Sequence, residues 1–282
     1  MRLLVTGGAG MLGQAVATAA TRLGHDVIAL PRADLDVTDA DHVRRVIAAA
    51  EPRAVVNCAA WTDVDGAETA EAAATAINGA GAGNVARAAA ENGARVVHVS
   101  TDYVFDGSKT TPWVESDPVA PLGAYGRSKL AGEQEVAAAD GEHAIVRSAW
   151  LFGAGGRNFV DTMLALAGER DEVSVVTDQV GCPTWTGHLA EALVELAERR
   201  GDVGIFHAAA TGACSWYELA VEVFSRAGLR CRVLPTTAER FARPAPRPAY
   251  SVLGTEREAT PILPPWQDGV AAYLTDKAVV TG

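Results

Sequence analysis

An α/β fold built on a doubly wound parallel sheet is what this sequence predicts, on three observations. Short apolar runs alternate with helical patterns through the first half of the chain. The runs are apolar throughout, not every second residue, which marks strands buried on both faces and sandwiched by helices. A glycine-rich stretch, TGGAGMLG, stands where the first run ends and the first helical pattern begins.

The first strand is Arg2–Thr6. A helix over 11–23 follows, with Leu12, Val16 and Ala19 on one face. The second strand is Asp26–Leu30, followed by a helix over Ala40–Ala50 that turns Val43, Val46 and Ile47 inward. The third strand, Ala54–Asn57, leads to a helix predicted to run unbroken over 69–91. The fourth strand is 94–100, the next helix 124–138 and the fifth strand 143–147. Beyond about residue 150 the rhythm loosens. Strands are expected at 173–177, Gly204–His207 and 230–234, and helices at 159–167, 187–199 and 216–227. A proline-rich run, RPAPRPAYS over 243–251, excludes regular helix or central strand there. It either crosses the surface or lines a cleft, and composition does not choose between them.

A chain of 282 residues is long for one core and short for two full domains. Residues 1–150 are expected to form the main domain and 151–282 mainly a smaller C-terminal lobe, with some segments returning to the first. The net charge of −11 argues against nucleic-acid and anionic-membrane partners, although a local basic patch could still bind phosphate. The first residues carry one charge and a short apolar run, and no stretch approaches the ~20 apolar residues of a membrane span. A cytoplasmic protein is expected. Cys58, Cys182, Cys214 and Cys231 are scattered without a CxxC, so reduced thiols and no metal site are expected.

Gly7, Gly10 and Gly13 are spaced GxxGxxG. Glycine permits a sharp turn and close approach of a pyrophosphate, and the helix that follows offers free N–H groups and its dipole. Placed between strand and helix, the loop predicts a Rossmann-like, dinucleotide-binding domain, with Met11 and Leu12 beside the phosphates. The spacing resembles that of extended short-chain dehydrogenases/reductases. Arg32 follows the second strand and leans the cofactor towards NADPH over NADH, the alternative being a solvated arginine. By the same resemblance Asp36 and Val37 lie near the adenine. Ala59, Ala60 and Thr62, after the third strand, lie beside the nicotinamide-side ribose, and Asn78 supports sheet and cofactor.

In AYGRSK, Tyr125 and Lys129 stand at i and i+4 on a predicted helix and share a face. An ammonium nearby brings a phenol, ordinarily near ~10, towards acid–base use. The stretch STDYVFDG puts Ser100, Thr101, Asp102 and Tyr103 at the end of the fourth strand, where open parallel sheets bind ligands. Thr101 can donate to a substrate carbonyl beside Tyr125, and Asp102 and Tyr103 can contact the rest of the substrate; alternatively Asp102 caps the turn. Trp150, in RSAWLFG, is placed to stack on a sugar or to join the core.

Together LLVTGGAGMLG, DLDVTD, VVNCAAWTDVDGAE, VHVSTDYVFDG, YGRSKLAGE, RSAWLFG, DQVGCPTW and RPAYSVL resemble, in order and spacing, the dTDP-4-dehydrorhamnose reductase family. The resemblance runs nearly end to end. It implies Thr101, Tyr125 and Lys129 as the catalytic triad. It also implies Ser100 among the cofactor contacts, and Val64, Asp102, Tyr103, Trp150 and Arg247 facing the substrate, dTDP-4-dehydro-L-rhamnose. Some members of the family join as dimers through a metal-linked acidic contact. A homodimer stays open here, but those carboxylates are not identifiable, so no metal is expected. Two alternatives remain. One is a related dTDP-4-keto-deoxysugar reductase of secondary metabolism; the other is a non-catalytic regulatory homologue.

Overall fold

The computed structural model describes residues 1–241 and 243–281. Six parallel strands form the central sheet: β1 (Arg2–Thr6), β2 (Asp26–Leu30), β3 (Ala54–Asn57), β4 (Arg95–Thr101), β5 (His143–Ser148) and β6 (Gly204–His207), in the order β2-β1-β3-β4-β5-β6. The helices that cover it are α1 (Met11–Arg22), α2 (Ala40–Ala50), α3 (Ala82–Glu91), α4 (Ala124–Ala137) and α5 (Thr186–Glu198). Successive strand residues point to opposite faces. Leu3, Val5, Val56, Val97 and Val146 therefore pack under α1 and α5, against Leu12, Val16, Leu189 and Leu193. Leu4, Val55, Val96 and Ile145 pack on the other side, against Val43, Ile47, Val85 and Val136 of α2, α3 and α4. Two covered faces are the reason the strand runs are apolar throughout.

Strand order reverses between β1 and β3, and such a switch point opens a crevice at the carboxyl ends of the strands. Beyond β5 the chain builds a second core, in which Phe152, Val173, Val175, Leu219, Val223, Phe224 and Tyr273 are buried together. Its strands Glu172–Val176 and Arg232–Thr236 pair in parallel. Between them the chain returns to the main sheet to supply α5 and β6. No helix among the described residues is long and apolar enough to cross a membrane.

Two elements differ from expectation. The helix predicted over 69–91 is broken into Glu71–Thr75, a π turn over Ala76–Gly81, and α3. The wider turn carries Asn78, whose side chain is bound at both polar atoms, and such π turns are frequent at functional sites. A helix over Trp266–Thr281 follows the proline-rich run, where none was expected. Gly269, its fourth residue, weakens the helical signal. A side chain there would press on the Trp185 Cβ, 3.0 Å from the position a Cβ would take.

Candidate active site

A cavity of about 880 Å³ follows the carboxyl ends of the strands, from the β1–α1 turn to the lobe. At the first end, Gly7 takes φ +65°, and a Cβ on it would lie 2.8 Å from the backbone nitrogen of Ala59. Only glycine lets the loop lie this close to β3. Gly10 caps α1 without any side-chain hydrogen bond, and the first turn holds no acidic residue. The amides of Met11, Leu12 and Gly13 are thus free at the positive end of a helix dipole, which fits a pyrophosphate. Arg32, Asp36 and Val37 line the same end. Arg32 is largely exposed and lies 3.6 Å from Asp36. The Thr38 amide and hydroxyl hold the Asp36 carboxyl below its ordinary value.

In the middle, Cys58, Ala59, Ala60 and Thr62 form a wall of small residues after β3. Asn78 does not line the cavity. Its Oδ1 accepts from the Trp61 amide at 2.8 Å, and its Nδ2 donates to the Trp61 carbonyl at 3.1 Å and to Ser128 Oγ at 2.9 Å. Ser128 in turn donates to the Tyr125 carbonyl at 2.7 Å. Asn78 therefore ties the 60–62 loop to the helix bearing Tyr125 and Lys129.

Thr101 is the last residue of β4, one position beyond the expected strand end. Its Oγ1 accepts from the Tyr103 amide at 3.2 Å and donates to Asp102 Oδ1 at 3.0 Å. Burial pushes the Tyr125 phenol up to about 12, and the Thr101 hydroxyl beside it acts in the opposite direction. Lys129 is buried, and burial brings its ammonium down to about 8 despite the nearby Glu133. Its Nζ donates to the Val99 carbonyl at 2.6 Å. Ser100 lines the cavity and donates to Glu133 Oε1 at 2.6 Å, and Arg147 grips the same carboxylate at 2.8 and 2.6 Å. This buried ion pair pins α4 across β4 and β5.

At the lobe end, burial raises the Asp102 carboxyl to about 6, against the hydroxyls of Ser251 and Thr101 beside it. Asp102 Oδ2 and Ser148 Oγ are buried without a well-formed hydrogen bond, and both residues line the cavity. Such orphaned groups fit a polyhydroxyl ligand. The Tyr103 ring meets Tyr125 edge-on at 5.7 Å. Val64 lines the rim, whereas Arg247 stands behind it. The Arg247 guanidinium bonds both oxygens of Asp65, at 3.0 and 3.1 Å, and lies beside the Tyr103 hydroxyl. The proline-rich run contributes no lining residue. It is strapped to the rim by Asp65 and, through Ala249 and Ser251, to Val180.

Trp150, at φ +50°, stacks on Trp216 with ring centroids 3.5 Å apart and planes 2° from parallel. Sequence reasoning missed Trp216. The signal available was the capping box of Ser215 and Glu218, which fixes Trp216 in the first turn of its helix. Gly155, Gly156 and Arg157 also line the cavity and were missed, because a loop after an irregular strand carries no period. Of the residues expected to bind cofactor or substrate, all but Asn78 and Arg247 line this one cavity.

A model of the family described as the RmlD substrate binding domain matches residues 1–279. The chain is 46% identical to a probable dTDP-4,6-dihydroxy-2-methyloxan-3-one 4-ketoreductase of Streptomyces antibioticus, over 95% of this chain and 92% of that one. It is 43% identical to a dTDP-4-dehydrorhamnose reductase of Mycolicibacterium smegmatis, over 100% of this chain and 86% of that one. Among solved structures it is similar to the dTDP-4-dehydrorhamnose reductase of Bacillus anthracis in complex with NADP. The TM-score is 0.94 at 37% identity, covering 98% of this chain and 99% of that one.

Proposed function

This chain belongs to the RmlD substrate-binding-domain family, and on that premise we propose that it is an NAD(P)H-dependent reductase of the C4 ketone of dTDP-4-dehydro-L-rhamnose, giving dTDP-L-rhamnose. One observation supports it above the others: Thr101, Tyr125 and Lys129 line a single cavity that begins at the uncapped amides of α1. The bound nicotinamide cofactor supplies a hydride equivalent to C4. The residues that hold it are Gly7, Gly10, Met11, Leu12 and Gly13 at the pyrophosphate and Arg32, Asp36 and Val37 at the adenosine. Ala59, Ala60, Thr62, Ser100, Tyr125 and Lys129 hold the nicotinamide side, with Asn78 behind them. Arg32 favours a 2′-phosphate, hence NADPH, and NADH remains the second choice.

Tyr125 donates its phenolic proton to the oxygen that becomes the C4 hydroxyl. A secondary alkoxide is a stronger base than a phenolate, so a phenol at about 12 still serves as the acid. Thr101 hydrogen-bonds the same oxygen and keeps it at Tyr125. Lys129 stabilises the phenolate left behind. Asp102, Tyr103, Val64 and Trp150 face the sugar, and Arg247 stiffens the rim through Asp65 and Tyr103. Residues 1–150 carry the cofactor and residues 151–282 mainly the sugar nucleotide. The cytoplasm, with its pool of reduced cofactor and nucleotide sugars, is the compartment this reaction needs.

A panel of dTDP-4-keto-6-deoxy sugars assayed by oxidation of NADPH and NADH tests the reading. Highest kcat/KM on dTDP-4-dehydro-L-rhamnose with NADPH is expected; no oxidation with any member of the panel overturns it. A second reading, reduction of another dTDP-4-keto sugar by the same residues, is favoured by the similarity to the Streptomyces antibioticus 4-ketoreductase. The same panel separates the two.

A further inference from the structure

Under α4 runs a line of buried polar side chains that the reaction above leaves without a role. Thr6, Asn57 and His98 are register partners on β1, β3 and β4, so they stand side by side on the face that α4 covers. Each is 0–1% exposed. Thr6 Oγ1 donates to Asn57 Oδ1 at 2.6 Å, and the Ala59 amide points at both oxygens at 3.3 Å. Those two donors fix the Asn57 amide with its oxygen towards the glycine loop. Its Nδ2 then faces His98 Nδ1 at 3.1 Å.

An amide N–H facing Nδ1 makes that nitrogen the acceptor, and a neutral imidazole must then carry its proton on Nε2. Burial and the Lys129 charge hold His98 far below its ordinary value, so it is neutral. Nε2 lies 3.4 Å from Lys129 Nζ. An N–H there opposes an ammonium, whose hydrogens point back at it, and suits an amine, whose lone pair accepts it. The other titratable groups facing Lys129 are Cys58 after β3 and Glu133 on α4, with Tyr125 one turn earlier on that helix. Arg147 already binds the Glu133 carboxylate.

We propose that His98 is a positioning residue that acts through Lys129: locked by the Thr6–Asn57 chain with Nε2–H towards Nζ, it stabilises Lys129 as the neutral amine. The role rests on the reductase reading. Tyr125 gives its O–H proton to the substrate oxygen and becomes phenolate. Lys129 passes an N–H proton to that phenolate and is left as an amine, which His98 then supports until water returns the proton. The chain ends at buried Thr6 and reaches no solvent, so it sets a tautomer and conducts no proton.

Selective ¹⁵N labelling of histidine and NMR of the full chain without ligand reads the His98 tautomer directly, the signal being assigned by its loss in His98→Gln. A proton on Nε2 is expected, and a proton on Nδ1 overturns the proposal. The second measurement is the pH profile of kcat. His98→Phe removes the opposing N–H, so the alkaline limb set by Lys129 moves up by about one pH unit. His98→Gln restores an N–H and brings the limb back. If His98→Phe fails to fold, Asn57→Asp moves the limb the same way, because a carboxylate at position 57 draws the imidazole proton to Nδ1. An unmoved limb overturns the proposal. Wild-type protein inert on every dTDP-4-keto sugar would instead sink the reductase reading, while the NMR result still decides whether the tautomer lock exists.

Discussion

The two ends of the cavity are built from different materials. The pyrophosphate part of the glycine-loop end is backbone, namely one strand, one turn and the first amides of α1, all within residues 2–13, with Arg32, Asp36 and Val37 flanking it. The lobe end is side chain, gathered from the 64–65 turn, the end of β4, the second residue after β5, the first turn of the helix Trp216–Arg226, and the strap at Arg247. Backbone recognition tolerates changes of side chain but not of φ. Side-chain recognition is the reverse, so substrate choice can diverge at the lobe end while cofactor binding stays put.

The largest effect is expected between the two ends. Tyr125→Phe should lower kcat by about 10²–10⁴-fold while leaving cofactor affinity and sugar-nucleotide affinity nearly intact, as checked by fluorescence titration. Loss of binding at either end would mean Tyr125 belongs to that end. Next is Gly7→Ala, which forces a Cβ against Ala59 at a left-handed φ. It should cost about 1–3 kcal/mol in cofactor affinity or in thermal stability, with sugar-nucleotide affinity unchanged in calorimetry.

Asp102 gives a prediction for the lobe end that needs no ligand. Its carboxyl is raised to about 6 in the folded protein. A raised carboxyl contributes stability that is fully present below its unfolded value and lost as pH rises through the folded one. Asp102→Asn should therefore raise the unfolding free energy above pH ~7 by on the order of 2 kcal/mol, read as a higher Tm, and leave it unchanged near pH ~3. The opposite pH dependence would show that the carboxylate is the favoured form. Trp216→Ala, which unstacks Trp150, should raise KM for the sugar nucleotide by about 2–10-fold and leave the cofactor Kd alone. Arg32→Ala is the mildest. Arg32 is exposed, so NADPH affinity should fall by up to about fivefold with NADH unaffected, measured as paired Kd values.

This contrast also explains what the sequence made legible. The glycine loop, the five leading strands and the Tyr125–Lys129 pair are local patterns, and all lie where the pattern put them. Thr101 was legible because four polar residues end a buried strand, which turn chemistry alone does not explain. The π turn at Asn78 was not, since the same alanine-rich letters suit an ordinary helix and only the contact with Trp61 selects the wider one. Trp216 and the Asp65–Arg247 clasp were illegible for another reason. Their partners lie 66 and 182 residues away in the chain, and no short-range period encodes a meeting at that separation.

The return of α5 and β6 to the main sheet bears on how such proteins can be recombined. Leu189, Leu193 and Leu196 roof the same face as Leu3 and Val5. A graft that exchanged everything after residue 150 for a foreign counterpart would strip that roof and leave apolar strands open to water. Hybrids with altered sugar preference should instead keep 186–207 with the host and swap only the flanking pieces, a discontinuous cut that the tertiary layout dictates and the linear order hides.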